Sequence, residues 1–301
     1  MRVVSVLPSA TEIVFALGHG SELVGRSAEC DHPPEVRGRP IVMRPRTFDA
    51  ERPSREIDAR VRAARDRGES LYTLDVPLLQ RLRPDLFLTQ DLCGVCSVTE
   101  SEVRDACALA GIAPAVVALT PRTLEEVWRS IATVAQALDD RRTGESVVAG
   151  LRARSAPRPG AGEAPRVAVL EWLDPPILAG LWASEMVARA GGRSVGPAPG
   201  VAGERTTWHE LAQRGPELVI LSPCSFTVER TQREIASPEI ERALGELAPA
   251  LGTFLADEAY FSRPGPRLAD GIDLVARLLR GSTGASPMPA EPWVAARRAA
   301  A

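Results

Sequence analysis

Four of the five cysteines fall just past apolar runs of strand type: Cys30, Cys93, Cys96 and Cys224, with His32 two residues beyond Cys30. Thiolate and imidazole are ligands for soft and borderline metals, so this set reads as a candidate site for iron or zinc held directly by the protein. Cys93 and Cys96 form a C-x-x-C, a pattern shared by redox pairs, metal sites and chance. A second C-x-x-C at zinc-ribbon spacing is missing, which argues against a structural zinc module. A thiol nucleophile would need a base, and Cys30 with His32 is the one pairing on offer. Cys107 lies on the apolar side of a helical run and reads as core filler. Trp172, Tyr260 and Phe261 also follow strand-like runs, in a chain with only 4% aromatic residues, and suggest flat walls for a ligand. Neither a phosphate-binding glycine loop nor a Ser/His/Asp signature is present.

Such residues need elements to bring them together. Thr120 to Ala156 is the stretch around which the others are ordered. Thr123 and Glu126 form an S/T-x-x-E capping box, and apolar residues follow at Leu124, Val127, Trp128, Ile131, Val134, Ala135 and Leu138. A second helical run, Glu145 to Arg154, follows Gly144. Before this stretch the chain alternates strand and helix. The predicted strands are Val3–Leu7, Leu23–Ser27, Asp85–Gln90 and Ala115–Leu119, with a short one at Ile41-Val42 inside an irregular stretch. Ser9 with Glu12 predicts a second capping box on the helix after the first strand. Arg55 to Arg67 reads as a helix with a solvated, arginine-rich face. After a Pro/Gly/Ala-rich segment the alternation resumes, with strands at Arg166–Leu170, Leu218–Leu221 and Thr253–Ala256 and a closing helix at Leu268–Leu279.

The expected class is therefore α/β, in two parallel-sheet lobes. Residues 1–120 form the first, 121–156 are helical, 157–165 are linker, 166–280 form the second, and 281–301 are tail. Ligands of open parallel sheets bind beyond the carboxyl ends of the strands, where the cysteines and aromatics fall.

With 301 residues the chain can bury a core in each lobe. A net charge of −3, with every cation an arginine, gives no electrostatic case for nucleic acid or an anionic membrane. No run approaches the ~18–20 apolar residues of a membrane span, so no membrane insertion is expected. Val3–Leu7 is too short for the apolar core of a secretory signal, which needs about 7–15 residues. The expectation is a cytoplasmic protein with reduced thiols.

Val3–Gly25 (VVSVLPSATEIVFALGHGSELVG), the Cys30-Asp31-His32-Pro33-Pro34 loop and Leu82–Gln90 (LRPDLFLTQ) resemble the first lobe of the substrate-binding proteins of cobalamin and iron-chelate ABC importers, a class III periplasmic-binding-protein fold. Met186–Gly192, Thr207–Leu221 and Tyr260–Leu279 (YFSRPGPRLADGIDLVARLL) resemble its second lobe, in the right order. The patterns around Asp91–Cys96 and Glu171–Trp182 are closest to a subgroup labelled cobalamin-binding.

The resemblance implies two lobes bridged by a single rigid helix, here about Thr143–Ala156 and roughly 20 Å long, with little hinge motion. It implies a small-molecule ligand, cobalamin or another metal chelate, bound without catalysis between the lobes, and an ABC permease as partner. Trp172, Trp182, Tyr260 and Phe261 would then supply flat contacts, and Ser9, Asp257 and Arg263 polar ones. The alternative is a cytosolic metalloprotein or enzyme on the same fold, with a metal ion or cluster held by Cys30, His32, Cys93, Cys96 and Cys224. About Arg44–Thr73 is extra between the second and third strands of the pattern, where it could cap the cleft.

Overall fold

The structure, a computed structural model, describes residues 1–46, 51–91, 98–158 and 163–281. The first lobe contains β1 (Val3–Ser5), α1 (Pro8–Ala16), β2 (Leu23–Ser27), β3 (Ile41–Pro45), α2 (Ser54–Asp66), β4 (Tyr72–Leu74), α3 (Val76–Leu82), β5 (Leu86–Gln90), α4 (Glu100–Leu109) and β6 (Ala115–Leu119). Its sheet runs in the order β4-β3-β2-β1-β5-β6, parallel except for β4, which lies antiparallel on β3. Helices α5 (Leu124–Ala137) and α6 (Arg141–Arg154) then carry the chain to the second lobe.

That lobe contains β7 (Arg166–Leu173), β8 (Pro176–Leu178), α7 (Ala183–Arg189), β9 (Arg193–Ser194), β10 (Glu204–Arg205), α8 (Trp208–Gln213), β11 (Leu218–Leu221), α9 (Val228–Ile235), α10 (Pro238–Leu247), β12 (Gly252–Leu255) and α11 (Leu268–Leu279). Its sheet runs β10-β8-β7-β11-β12, with β9 also on β7. The parallel centre is in strict register, Leu218 opposite both Val167 and Gly252. Two α/β lobes joined by helix is the architecture expected from the alternation of elements. Among the described residues no helix is long and apolar enough to cross a membrane.

Several local readings change on inspection. The box at Thr123 forms as read, with Thr123 Oγ1 accepting from the Glu126 amide and the Glu126 carboxylate accepting from the Thr123 amide. The one at Ser9 does not. Leu7 is the N-cap and Pro8 opens α1, its fixed φ already suited to the first helical position. Glu12 is thereby free to pair with Arg267 across the lobes. The strand expected to end at Leu170 runs on to Leu173 and returns through Asp174-Pro175 into β8. Pro176 is tolerated there as the first residue of its strand. Of the expected linker and tail, residues 159–162 and 282–301 lie outside the described residues.

What joins the lobes is apolar. One buried cluster takes in Ile13 and Leu17 of α1, Val127, Trp128 and Ile131 of α5, Leu151 of α6, and Met186, Ile272 and Val275 of the second lobe. Opening the lobes at this floor would expose that surface, at ~25 cal/mol per Å². Helices α5 and α6 pack tightly: a Cβ on Gly144 would lie 2.4 Å from the Ala135 Cβ, so only glycine fits. His19 ties the start of α6 to the first lobe, its ring nitrogens 2.9 Å from Glu22 and 3.2 Å from Asp140.

Candidate functional site

Strands β1, β2 and β5 of the first sheet and β7, β11 and β12 of the second end at a common cavity of about 770 Å³. Leu7, Ser9, Glu29 and Gln90 reach it from the first lobe. Trp172, Ile177, Cys224 and Glu258 reach it from the second. The roof is α2, which lays Ile57, Val61 and Ala64 over the opening. Those three positions repeat at helical spacing on one face, and that face is turned to the cavity instead of to a core.

The roof is fixed to the second lobe by polar groups. Glu234 of α9 accepts from the Ser54 amide at 2.8 Å and from its hydroxyl at 2.5 Å. Arg230, one turn earlier, pairs with Glu234 at 2.8 Å and donates to the Arg52 carbonyl at 2.5 Å. Asp58 takes a two-pronged contact from Arg205, and Arg55 bridges Asp174 and Glu239. The Arg230 guanidinium lies 4.4 Å over the Phe226 ring, which in turn meets the Trp172 ring at 5.3 Å between centroids. A continuous chain of contacts thus runs from the roof anchor to the cavity wall, the two rings tilted at 55° to each other. The Trp172 Nε1–H is buried and has no hydrogen-bond partner.

The cavity floor is crowded with charge. Arg263, largely buried, donates to Glu258 at 2.7 Å and to Asp31 at 2.6 Å. Burial opposes its charge, but the carboxylates of Glu258, Asp31 and Glu12 outweigh burial and raise its pKa. Asp31 is held below its usual range because Arg263 overcomes the cost of burial. Glu29 is pushed up by burial first and then by the Glu258 charge.

Of the polar contacts expected from the sequence, Ser9 and Arg263 line the cavity; Asp257 does not, and its carboxylate caps the turn at the Ala259 amide, 3.0 Å away. Of the four aromatics expected there only Trp172 is a wall, beside Tyr72, which the sequence reading did not single out. Trp182, Tyr260 and Phe261 are core residues of the second lobe, with Trp182 Nε1 donating to the Phe261 carbonyl at 2.6 Å.

Among the described residues, the expected metal ligands Cys30, His32 and Cys224 do not gather at one site. Cys30 is buried inside the first lobe with its sulfur 3.1 Å from the Thr11 hydroxyl, and burial pushes its thiol up to about 11. His32 is half-buried and off the cavity wall, whereas Cys224 is on it. Cys93 and Cys96 lie outside the described residues. Among the described residues no three His, Cys, Asp or Glu side chains gather as a metal-ligand set. Glu29, Gln90 and the α2 face were not singled out by the sequence reading. Their position after strand ends, or at helical spacing in the extra segment, is the signal that marks them.

Known structures share this two-lobed fold. The periplasmic heme-binding protein RhuT of Roseiflexus sp. RS-1 superposes with a TM-score of 0.63 at 19% identity, over 94% of this chain and 99% of its own. The periplasmic vitamin B12 binding protein BtuF of Vibrio cholerae gives 0.62 at 18% identity, over 94% and 98%. An ABC-type Fe3+-hydroxamate transport system from Saccharomonospora viridis gives 0.60 at 16%, over 92% of both chains. The fold is that of the class III periplasmic binding proteins. No family model and no curated sequence matches the chain, so the likeness is carried by structure. Within that fold the described cavity lies where the two sheets' strands end, as it should in parallel α/β sheets.

Proposed function

We propose that the chain binds a metal chelate, cobalamin-like or of another kind, in the cavity between its lobes and does no chemistry on it. The observation that carries this reading is the cavity itself. It is roofed, lined by apolar side chains together with ten charged residues, and about 770 Å³ in volume, within the ~300–1,000 Å³ of small-molecule sites. Trp172 offers a flat wall to such a ligand. Shared fold with proteins named for heme, vitamin B12 and Fe3+-hydroxamate supports a chelate over other small molecules, and supports an ABC permease as the receiving partner. Direct ligation of an iron or zinc ion draws less support, because the Cys30 thiol faces the core while Cys224 faces the cavity.

Metal analysis with a visible spectrum on protein purified without oxygen, followed by equilibrium dialysis against cyanocobalamin, hemin and ferrichrome, tests this reading. One chelate per chain is the expected result. Bare iron or zinc, lost from a Cys93→Ser, Cys96→Ser variant, would assign the site to direct ligation instead.

A further inference from the structure

Glu29 lines the cavity with Glu258, while Asp31 and Glu12 lie behind the wall, and Glu29 stands apart from all three. Asp31, Glu258 and Glu12 all engage arginine: Arg263 meets each of them, at 2.6, 2.7 and 3.5 Å, and Arg267 takes Glu12 again at 2.6 Å. Among the described residues no side-chain hydrogen bond or ion pair holds the Glu29 carboxylate, although it lines the cavity beside these groups. Arg263, the nearest cation acting on it, is already committed to three other carboxylates. Of the other arginines on the cavity wall, Arg46, Arg60 and Arg67 are exposed at the rim, where solvent and salt screen them, and Arg52 pairs with Glu56 at 2.9 Å. A half-buried acid left unpaired is costly unless something completes it. The floor around it is acidic in sum, so the completing group must be a donor.

We propose that Glu29 is a specificity residue: its carboxylate meets an amide or ammonium donor on the ligand and disfavours ligands whose rim carries carboxylates. The inference rests on the chelate reading above and narrows it to amide- or amine-bearing chelates. An incoming carboxylate would face Glu29 and Glu258 together, and like charges brought together in a desolvated site repel. An amide N–H would instead give Glu29 the charge-assisted partner it lacks. Specificity of this kind comes as much from repulsion of the wrong ligand as from attraction of the right one.

The test uses two ring systems, the dicyano-corrin and the iron porphyrin, each in a carboxylate-rimmed and an amide-rimmed form. Ring, metal and shape are then matched, and only the rim changes. Wild type is expected to prefer the amide-rimmed form of whichever ring it binds by at least tenfold at pH 7.5. Glu29→Gln should reduce that preference at least tenfold while leaving the melting temperature near that of wild type. Glu29 is raised by burial and by Glu258 and Asp31, with Arg263 opposing. Lowering the pH through its titration should therefore erode the preference in wild type and leave the Gln variant flat. An equal preference in wild type and variant, with binding intact, overturns the inference and leaves the chelate reading standing. Binding of none of the four probes overturns the chelate reading itself.

Discussion

Replacing Glu234 with glutamine should free the roof while leaving the lobes joined. Glu234 and Arg230 are each 8% exposed and lie 2.8 Å apart, and Glu234 also receives both donors of Ser54. Breaking a buried pair from one side costs about 3–5 kcal/mol, because the partner's charge is left behind. Here the cost is smaller. Glutamine keeps one oxygen for Ser54, and Arg230 keeps the Arg52 carbonyl and the face of Phe226. About 2–3 kcal/mol remains. The loss should be local, since the apolar cluster that joins the lobes does not include α2 or α9. In native-state hydrogen exchange, 2–3 kcal/mol corresponds to about 30- to 150-fold faster opening. Amides of α2 should accelerate by that factor, and those of β1 and β5 by much less. Unchanged exchange in α2 would refute the anchoring role, and equal acceleration in β1 and β5 would refute its local character.

Other outcomes follow from single groups. Trp172→Ala should weaken binding of the bound chelate by about 1.5–3 kcal/mol, on the order of 10- to 150-fold, in an absorbance titration; unchanged affinity would remove Trp172 from the site. With its thiol pushed to about 11 by burial, Cys30 should resist iodoacetamide at pH 8 while Cys224 reacts, as read by peptide mass mapping; labelling of Cys30 at the rate of Cys224 would contradict its placement. The pKa of His19 is raised, first by its hydrogen bond to Glu22 and, against burial, by Asp140. Its stabilising contribution is thus complete below its ordinary value of 6.5 and fades as the pH climbs through the higher folded-state value. The melting-temperature gap between wild type and His19→Asn should narrow over that range, and a gap constant with pH would show that the pair contributes nothing.

Much of the framework was legible because it rests on local signals. Four-residue and five-residue apolar runs became β5, β6 and β11 at or within one residue of where the pattern put them, and the steps of three and four from Leu124 became α5. Helix α9 was invisible for a physical reason. The inward face of α9 carries Arg230, Thr231 and Glu234, so its buried side is polar and no apolar stripe announces it. The site was half legible. Ser9, Trp172, Cys224 and Arg263 lie where strand ends place them. Trp182, Tyr260 and Phe261 follow strands equally closely yet turn into the core, because spacing along the chain does not say which way a loop side chain faces. The arginine-rich helix read as a solvated face is the roof of the cavity, and only its long-range pairing with Glu234, Arg205 and Asp174 shows it.

The central claim is that a metal chelate sits under α2, between the lobes. Its most direct test is an absorbance titration of wild type and Val61→Trp with the same chelates. Val61 lines the cavity from the roof, and an indole there would fill ligand space without touching the anchors of α2. The account predicts saturable binding of one chelate per wild-type chain and at least tenfold weaker binding to the variant at an unchanged melting temperature. Equal affinity in the two proteins would place the ligand elsewhere and contradict the account.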